Sequence, residues 1–116
     1  MRYLLLLQTS MDGLPERGTA EADQMYAAYK SAIDAMAEAG VLLECAPLAA
    51  ASLATTVRVR DGEMLLTDGP AAEIREQVGG YAVLDCADLD DALKWASRIP
   101  SASYGSVEVR AIVDTR

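Results

Sequence analysis

The 116-residue chain contains no histidine. That absence removes the usual base near neutral pH and the commonest transition-metal ligand, so any chemistry falls to carboxylates, tyrosines, arginines or thiols. No metal site and no cofactor is expected. Positive charge is also scarce: ten Lys and Arg stand against eighteen Asp and Glu, a formal charge of -8 that repels phosphate backbones and anionic lipid. Nucleic acid is therefore excluded as an expected partner. Cysteine is limited to Cys45 and Cys86, which lack CxxC spacing and read as two small buried residues, with a disulfide the less favoured alternative. Long apolar runs are missing too. Leu4 to Leu7 is too short for a membrane span or a signal-peptide core, and polar Gln8 ends it, so the expectation is a cytoplasmic protein without membrane contact. Neither a phosphate-binding glycine loop nor a calcium loop occurs.

What is present suits a single domain over residues 1–116: about half the residues are hydrophobic, with no long polar tract. Tyr3 to Gln8 reads as a buried central strand. Thr19 can cap a helix whose first turn carries Glu21 and Asp23; Ala22, Met25, Tyr29, Ala32, Ile33 and Met36 then form one apolar face, and Gly40 stops it. Val41 to Cys45 reads as a second strand, interrupted by Pro47. Ala54 to Arg60 reads as a third, in which Thr56, Arg58 and Arg60 alternate with Val57 and Val59 and so imply one wet face. Asp61-Gly62 is a two-residue hairpin turn, and Glu63 to Thr67 returns as its partner. Tyr81 to Cys86 is another strand. Asp88 caps a helix with Leu89, Ala92, Leu93 and Ala96 as its apolar stripe and Pro100 as its boundary, and Ser106 to Val113 is the closing strand.

The order β-α-β, hairpin, β-α-β predicts an α+β fold: a ferredoxin-like split β-α-β subunit with an extra β-hairpin and both helices on one sheet face. Aliphatic residues on the other face need a cover, and a symmetric homodimer packed sheet to sheet supplies one.

Between hairpin and next strand lies TDGPAAEIREQVGGY, Thr67 to Tyr81. Capping physics reads it as a short helix: Asp68 accepts backbone N–H bonds at its start, Pro70 suits the first turn, Glu73 favours the positive end, and Gly79-Gly80 stops it. Capping does not explain why Glu73, Arg75 and Glu76 cluster beside a hairpin that carries Arg58 and Arg60. These groups form either a solvated ion-pair network or the floor of a charged cleft.

The second half of the chain is similar to the YCII-related proteins of the DGPF-domain type. The matching positions are Thr56, Arg58 and Arg60 with the Asp61-Gly62 turn; Thr67 to Pro70, Ala72, Glu73, Glu76, Gln77 and Gly79 to Tyr81; Asp88, Leu89, Ala92, Trp95, Ala96 and Pro100; and Val107 to Arg110. The resemblance implies ferredoxin-like subunits paired as a dimeric α/β barrel, an unestablished biochemical activity, and association with extracytoplasmic-function sigma factors. Some YCII-like proteins have a proposed His and Asp pair, which a chain without histidine cannot reproduce. Ala71 replaces the family's usual phenylalanine, and Arg75 replaces a lysine with a different donor geometry.

The functional expectation is a small-molecule-binding homodimer with a cleft between sheet and helices. Arg58, Arg60 or Arg75 would pair a small anionic ligand, Glu73 would lie beside them, and Tyr26, Tyr29 and Tyr81 could line the walls. An enzyme alternative makes Asp68 the general base with an arginine as electrophilic partner, and needs that carboxyl raised by burial. A further alternative is an accessory role in sigma-factor signalling.

Overall fold

A computed structural model describes residues 1–10, 14–72 and 76–115. The chain runs β1 (Arg2–Ser10), α1 (Ala20–Glu38), β2 (Leu42–Pro47), a 3-10 turn (Ala51–Leu53), β3 (Thr55–Arg60), β4 (Glu63–Asp68), β5 (Glu76–Asp85), α2 (Leu89–Ser97), α3 (Ser101–Tyr104) and β6 (Ser106–Ala111). β2, β5, β1 and β6 form a four-stranded sheet in that order, and β3 and β4 form a separate two-stranded one. All described pairings are antiparallel. With β5 between β2 and β1, and β1 between β5 and β6, this is the split β-α-β arrangement.

Cross-strand register sorts the side chains of the large sheet into two faces, because opposed residues point the same way. Tyr3 lies opposite Leu84 and Leu5 opposite Ala82. Those four are buried and join Met36 of α1 with Ala92, Ala96 and Ile99 in one core. The other face carries Leu4 opposite Val83 and Leu6 opposite Tyr81, all half-buried, with Glu44, Glu108 and Arg110 around them.

Both helix caps form as expected. Thr19 Oγ1 accepts from Ala22 N at 3.2 Å, and Asp88 Oδ1 accepts from Asp91 N at 2.8 Å. Gly40, at φ 78°, follows the last turn of α1. The α2 stripe is rotated from expectation: Leu89 and Leu93 are about half exposed, while Ala92 and Ala96 are buried with Ile99 just beyond and Trp95 half-buried against them. The wide indole takes its place on the sheet and turns the leucines outward. The closing strand stops at Ala111, and Val113 is exposed.

The hairpin turn has Asp61 at φ 53° and Gly62 at φ 77°, the paired positive angles of a two-residue turn. The expected single wet face is not what the subunit shows, because Arg60 is exposed on one face and Val57 and Val59 on the other. Thr56 and Arg58 turn toward the segment that follows the hairpin, where Thr56 Oγ1 donates to Gly69 O at 2.7 Å and Arg58 Nη2 reaches Ala71 O at 3.5 Å. Val57 and Val59, opposite Leu66 and Met64, face outward and are mostly exposed.

The helix expected within residues 67–81 is absent from the described residues of that stretch. Asp68 closes β4, and Glu76, Gln77, Gly79 and Gly80 belong to β5. Among the described residues, Asp68 therefore caps no helix, and the glycine pair stops none. Pairing of Glu76 with Ser10 and Gln77 with Thr9 overrides the helical preference of these residues.

Candidate functional site

The glycine pair does something else. Going up β5 on the helix-facing side, the sequence offers Leu84, then Ala82, then Gly80, so side-chain bulk falls to nothing. At the same place the β1–β5 ladder slips: Leu7 lies opposite Gly80 and Gln8 opposite Val78, which leaves Gly79 as the extra residue of a bulge. A Cβ on Gly80 would sit 3.1 Å from Ala46 O, whereas one on Gly79 would meet only Thr9 Oγ1 at 3.7 Å. The sheet is thin here, and α1 passes over it without filling the gap.

The result is a cavity of about 470 Å³ between α1 and the sheet. Leu7, Met25, Ile33, Met36 and Cys45 supply apolar walls, and Gly79-Gly80 forms part of the floor. Tyr29 of α1 and Tyr104 of α3 also line it, and their hydroxyls are hydrogen-bonded to each other. Burial first, and then Tyr29, pushes the Tyr104 phenol well above its usual 10.0, so it is neutral at physiological pH. Lys30 and Asp34, also on the lining, form a 2.8 Å ion pair that raises the lysine through the hydrogen bond to Asp34.

The family model of the YCII-related domain matches residues 1–116, the whole chain. The chain belongs to the YCII-related family. An uncharacterised protein of Rhizobium meliloti is 44% identical over 77 residues, 65% of this chain and 62% of that relative, so the matched region spans under two thirds of the relative's length. Among solved structures, the chain is similar to TftG, the 5-chloro-2-hydroxyhydroquinone dehydrochlorinase of Burkholderia phenoliruptrix in complex with 2,5-dihydroxybenzoquinone. That likeness has a TM-score of 0.52 at 11% identity, over 97% of this chain and 94% of TftG. It shows the fold alone: a mixed α+β subunit with an antiparallel sheet.

In this YCII-related chain the residues singled out from sequence separate into two places. Tyr26, which is 73% exposed, and Tyr81 border the cavity. The Tyr81 phenol shares the helix-free sheet face with Glu44; burial first, then the glutamate's charge and hydrogen bond, pushes it up. Arg58 and Arg60 are on the hairpin, and neither lines the cavity. Arg58 reaches the 69–71 turn, and Arg60 Nη1 donates to Val59 O at 2.9 Å. Asp68 is exposed at the end of β4. Glu73 and Arg75 lie outside the described residues. Glu76 accepts from Ser106 Oγ at 3.0 Å, which ties β5 to the start of β6.

Sequence reasoning missed Tyr104, Thr9 and the glycine floor. A glycine pair just ahead of an aliphatic strand was the available signal, since glycine inside a strand often marks a bulge or a close approach. Nothing local pairs Tyr104 with Tyr29, 75 residues earlier. Among the described residues no cluster of three His, Cys, Asp or Glu could hold a metal, and no helix is long and apolar enough to cross a membrane.

Proposed function

We propose that the chain is a homodimer that binds a small, largely apolar molecule in the cavity between α1 and the sheet. The observation that carries this reading is the cavity itself: about 470 Å³, within the range of small-molecule sites, opened by a bulged glycine pair where a side chain would have closed it. TftG is described as a complex with a small cyclic compound; at 11% identity that likeness supports a fold with room for one and carries no chemistry across. The half-buried Leu4, Leu6, Tyr81 and Val83 and the outward face of the hairpin are the surfaces that a second copy would cover.

Two of the expectations drawn from sequence gain nothing from this geometry. An anion held by Arg58 or Arg60 would sit on the hairpin, away from the cavity lining, and Asp68 as a base lacks the burial within the subunit that such a role needs. The sigma-factor association rests on the family resemblance alone.

Gly79 offers the test. Its side-chain direction is open apart from Thr9, so Gly79→Val should leave the fold intact while filling the floor. Titrating tetralin into labelled protein should shift the Thr9 and Gly80 amides saturably, and Gly79→Val should weaken that binding at least about tenfold, roughly 1.4 kcal/mol. Tetralin binding of equal strength in the variant would remove the cavity as the ligand site.

A further inference from the structure

The Tyr29–Tyr104 pair is the polar feature of a cavity whose other walls are mostly apolar. Two hydroxyls joined by one hydrogen bond use one O–H between them. Whichever phenol donates, the O–H of its partner is left over, and among the described residues neither hydroxyl has a further partner. A hydroxyl that accepts a hydrogen bond is polarised into a better donor, so the leftover O–H is the stronger for the pairing. The raised Tyr104 phenol keeps Tyr104 itself protonated throughout the physiological range. The lining's cation among the described residues, Lys30, is already held by Asp34 at 2.8 Å, and the chain carries a net charge of -8. Both facts disfavour an anionic ligand.

We propose that the Tyr29–Tyr104 hydroxyl pair is the polar anchor of the cavity and selects uncharged apolar ring compounds that carry a hydrogen-bond-accepting oxygen, such as cyclic ketones. The anchor links α1 to α3 at the cavity wall, so an oxygen seated on it leaves the ring of the ligand among the apolar walls. This assignment rests on the cavity being a ligand site.

The probes are 1-tetralone and tetralin, which share shape and differ in one carbonyl. In the intact protein, 1-tetralone should bind about tenfold tighter than tetralin, the upper end of what one neutral hydrogen bond provides. The double variant Tyr29→Phe/Tyr104→Phe should bring the two affinities within about threefold through weaker 1-tetralone binding, because either phenol left alone keeps an O–H to donate. The carbonyl stretch of bound 1-tetralone should lie lower than in an apolar solvent and move back up in the double variant. A purely structural role for the pair would lower stability in the double variant without touching the tetralone-to-tetralin ratio. Equal binding of the two probes by the intact protein, or a ratio that survives both substitutions, overturns the anchor and leaves the cavity reading standing. Failure of both probes to bind at saturating concentration overturns the two together.

Discussion

The two sheets of this subunit obey the same alternation rule and end in opposite situations. In the four-stranded sheet, Leu5 and Leu84 are 0% exposed beneath the helices. In the β3–β4 hairpin, Val57, Val59, Met64 and Leu66 form an equally regular apolar face and are 56%, 60%, 66% and 60% exposed. Alternation decides which side chains share a face; it does not decide which face finds a cover. The large sheet has α1 and α2 supplied by its own β-α-β connections. The hairpin has no helix of its own, and a two-stranded ribbon in water is marginal. Its Thr56–Arg58 side is tied instead to the following turn by polar contacts, the Thr56 hydroxyl on Gly69 O and Arg58 on Ala71 O. The large sheet is therefore the folding unit, while the hairpin's apolar face is left for pairing.

The sharpest way to break that contrast is to remove bulk from each sheet. Leu84→Ala, at a site with no exposed surface, should cost about 2–5 kcal/mol through lost transfer energy and the cavity left behind. The measurement is urea unfolding at fixed protein concentration, because pairing would add to apparent stability. A loss below about 1 kcal/mol would mean that the large sheet is not the dominant core. Leu66→Ser, on the hairpin, should leave intrinsic subunit stability within about 0.5 kcal/mol, as surface changes do. It should nevertheless weaken pairing about tenfold, the scale of one apolar side chain left in water. Light scattering over a dilution series reads this directly. A parent protein that is monomeric at micromolar concentration, or a Leu66→Ser protein that pairs as tightly as the parent, would leave the hairpin face without a partner.

The same contrast explains what was legible in the sequence. Elements written in local chemistry could be read: the Thr19 and Asp88 caps, the Asp61-Gly62 turn, and the β-α-β, hairpin, β-α-β order that leads to the split fold. The stretch from Thr67 to Tyr81 was misread because its signals are degenerate. Asp, Gly and Pro suit the exit from a strand as well as the entry to a helix, and Glu76 and Gln77 are helix formers that sheet pairing with Ser10 and Thr9 overrules. The facing of the hairpin is not legible for a tertiary reason: Thr56 and Arg58 find backbone carbonyls of the following turn, while Val57 and Val59 are left exposed in the subunit. Tyr26, Tyr29 and Tyr81 could be singled out as wall residues. The cavity itself is made by side chains that are missing, and its phenol pair joins positions 75 residues apart, so neither leaves a periodic trace.

The smallest expected effect concerns pH, and it too belongs to the large sheet and its helices. Burial is the leading cause that raises Tyr104 and Tyr81 above 10.0 and Cys86 above 9.0, with Tyr29, Glu44 and Asp91 respectively adding to it. A raised acid stays protonated in the folded chain at a pH where the unfolded chain has already released its proton. The folded state then holds more protons, and stability falls as pH rises. Lys30, raised by Asp34, acts in the same direction: its contribution is present at lower pH and is lost as pH rises through the folded-state value. All four shifts therefore predict a flat profile from neutrality to about pH 9 and a decline above it. Tyr104→Phe removes the ionisable group with the largest shift, so its urea midpoint should fall less than the parent's between pH 8 and roughly 10.5. Since Tyr104 is 41% exposed, solvent screens part of the penalty, and the difference should be a small fraction of the Leu84→Ala effect. Parallel declines in the two proteins would mean that the phenol at the cavity is hydrated in solution, and the contrast between a closed helical side and an open hairpin would then have to be redrawn at Tyr104.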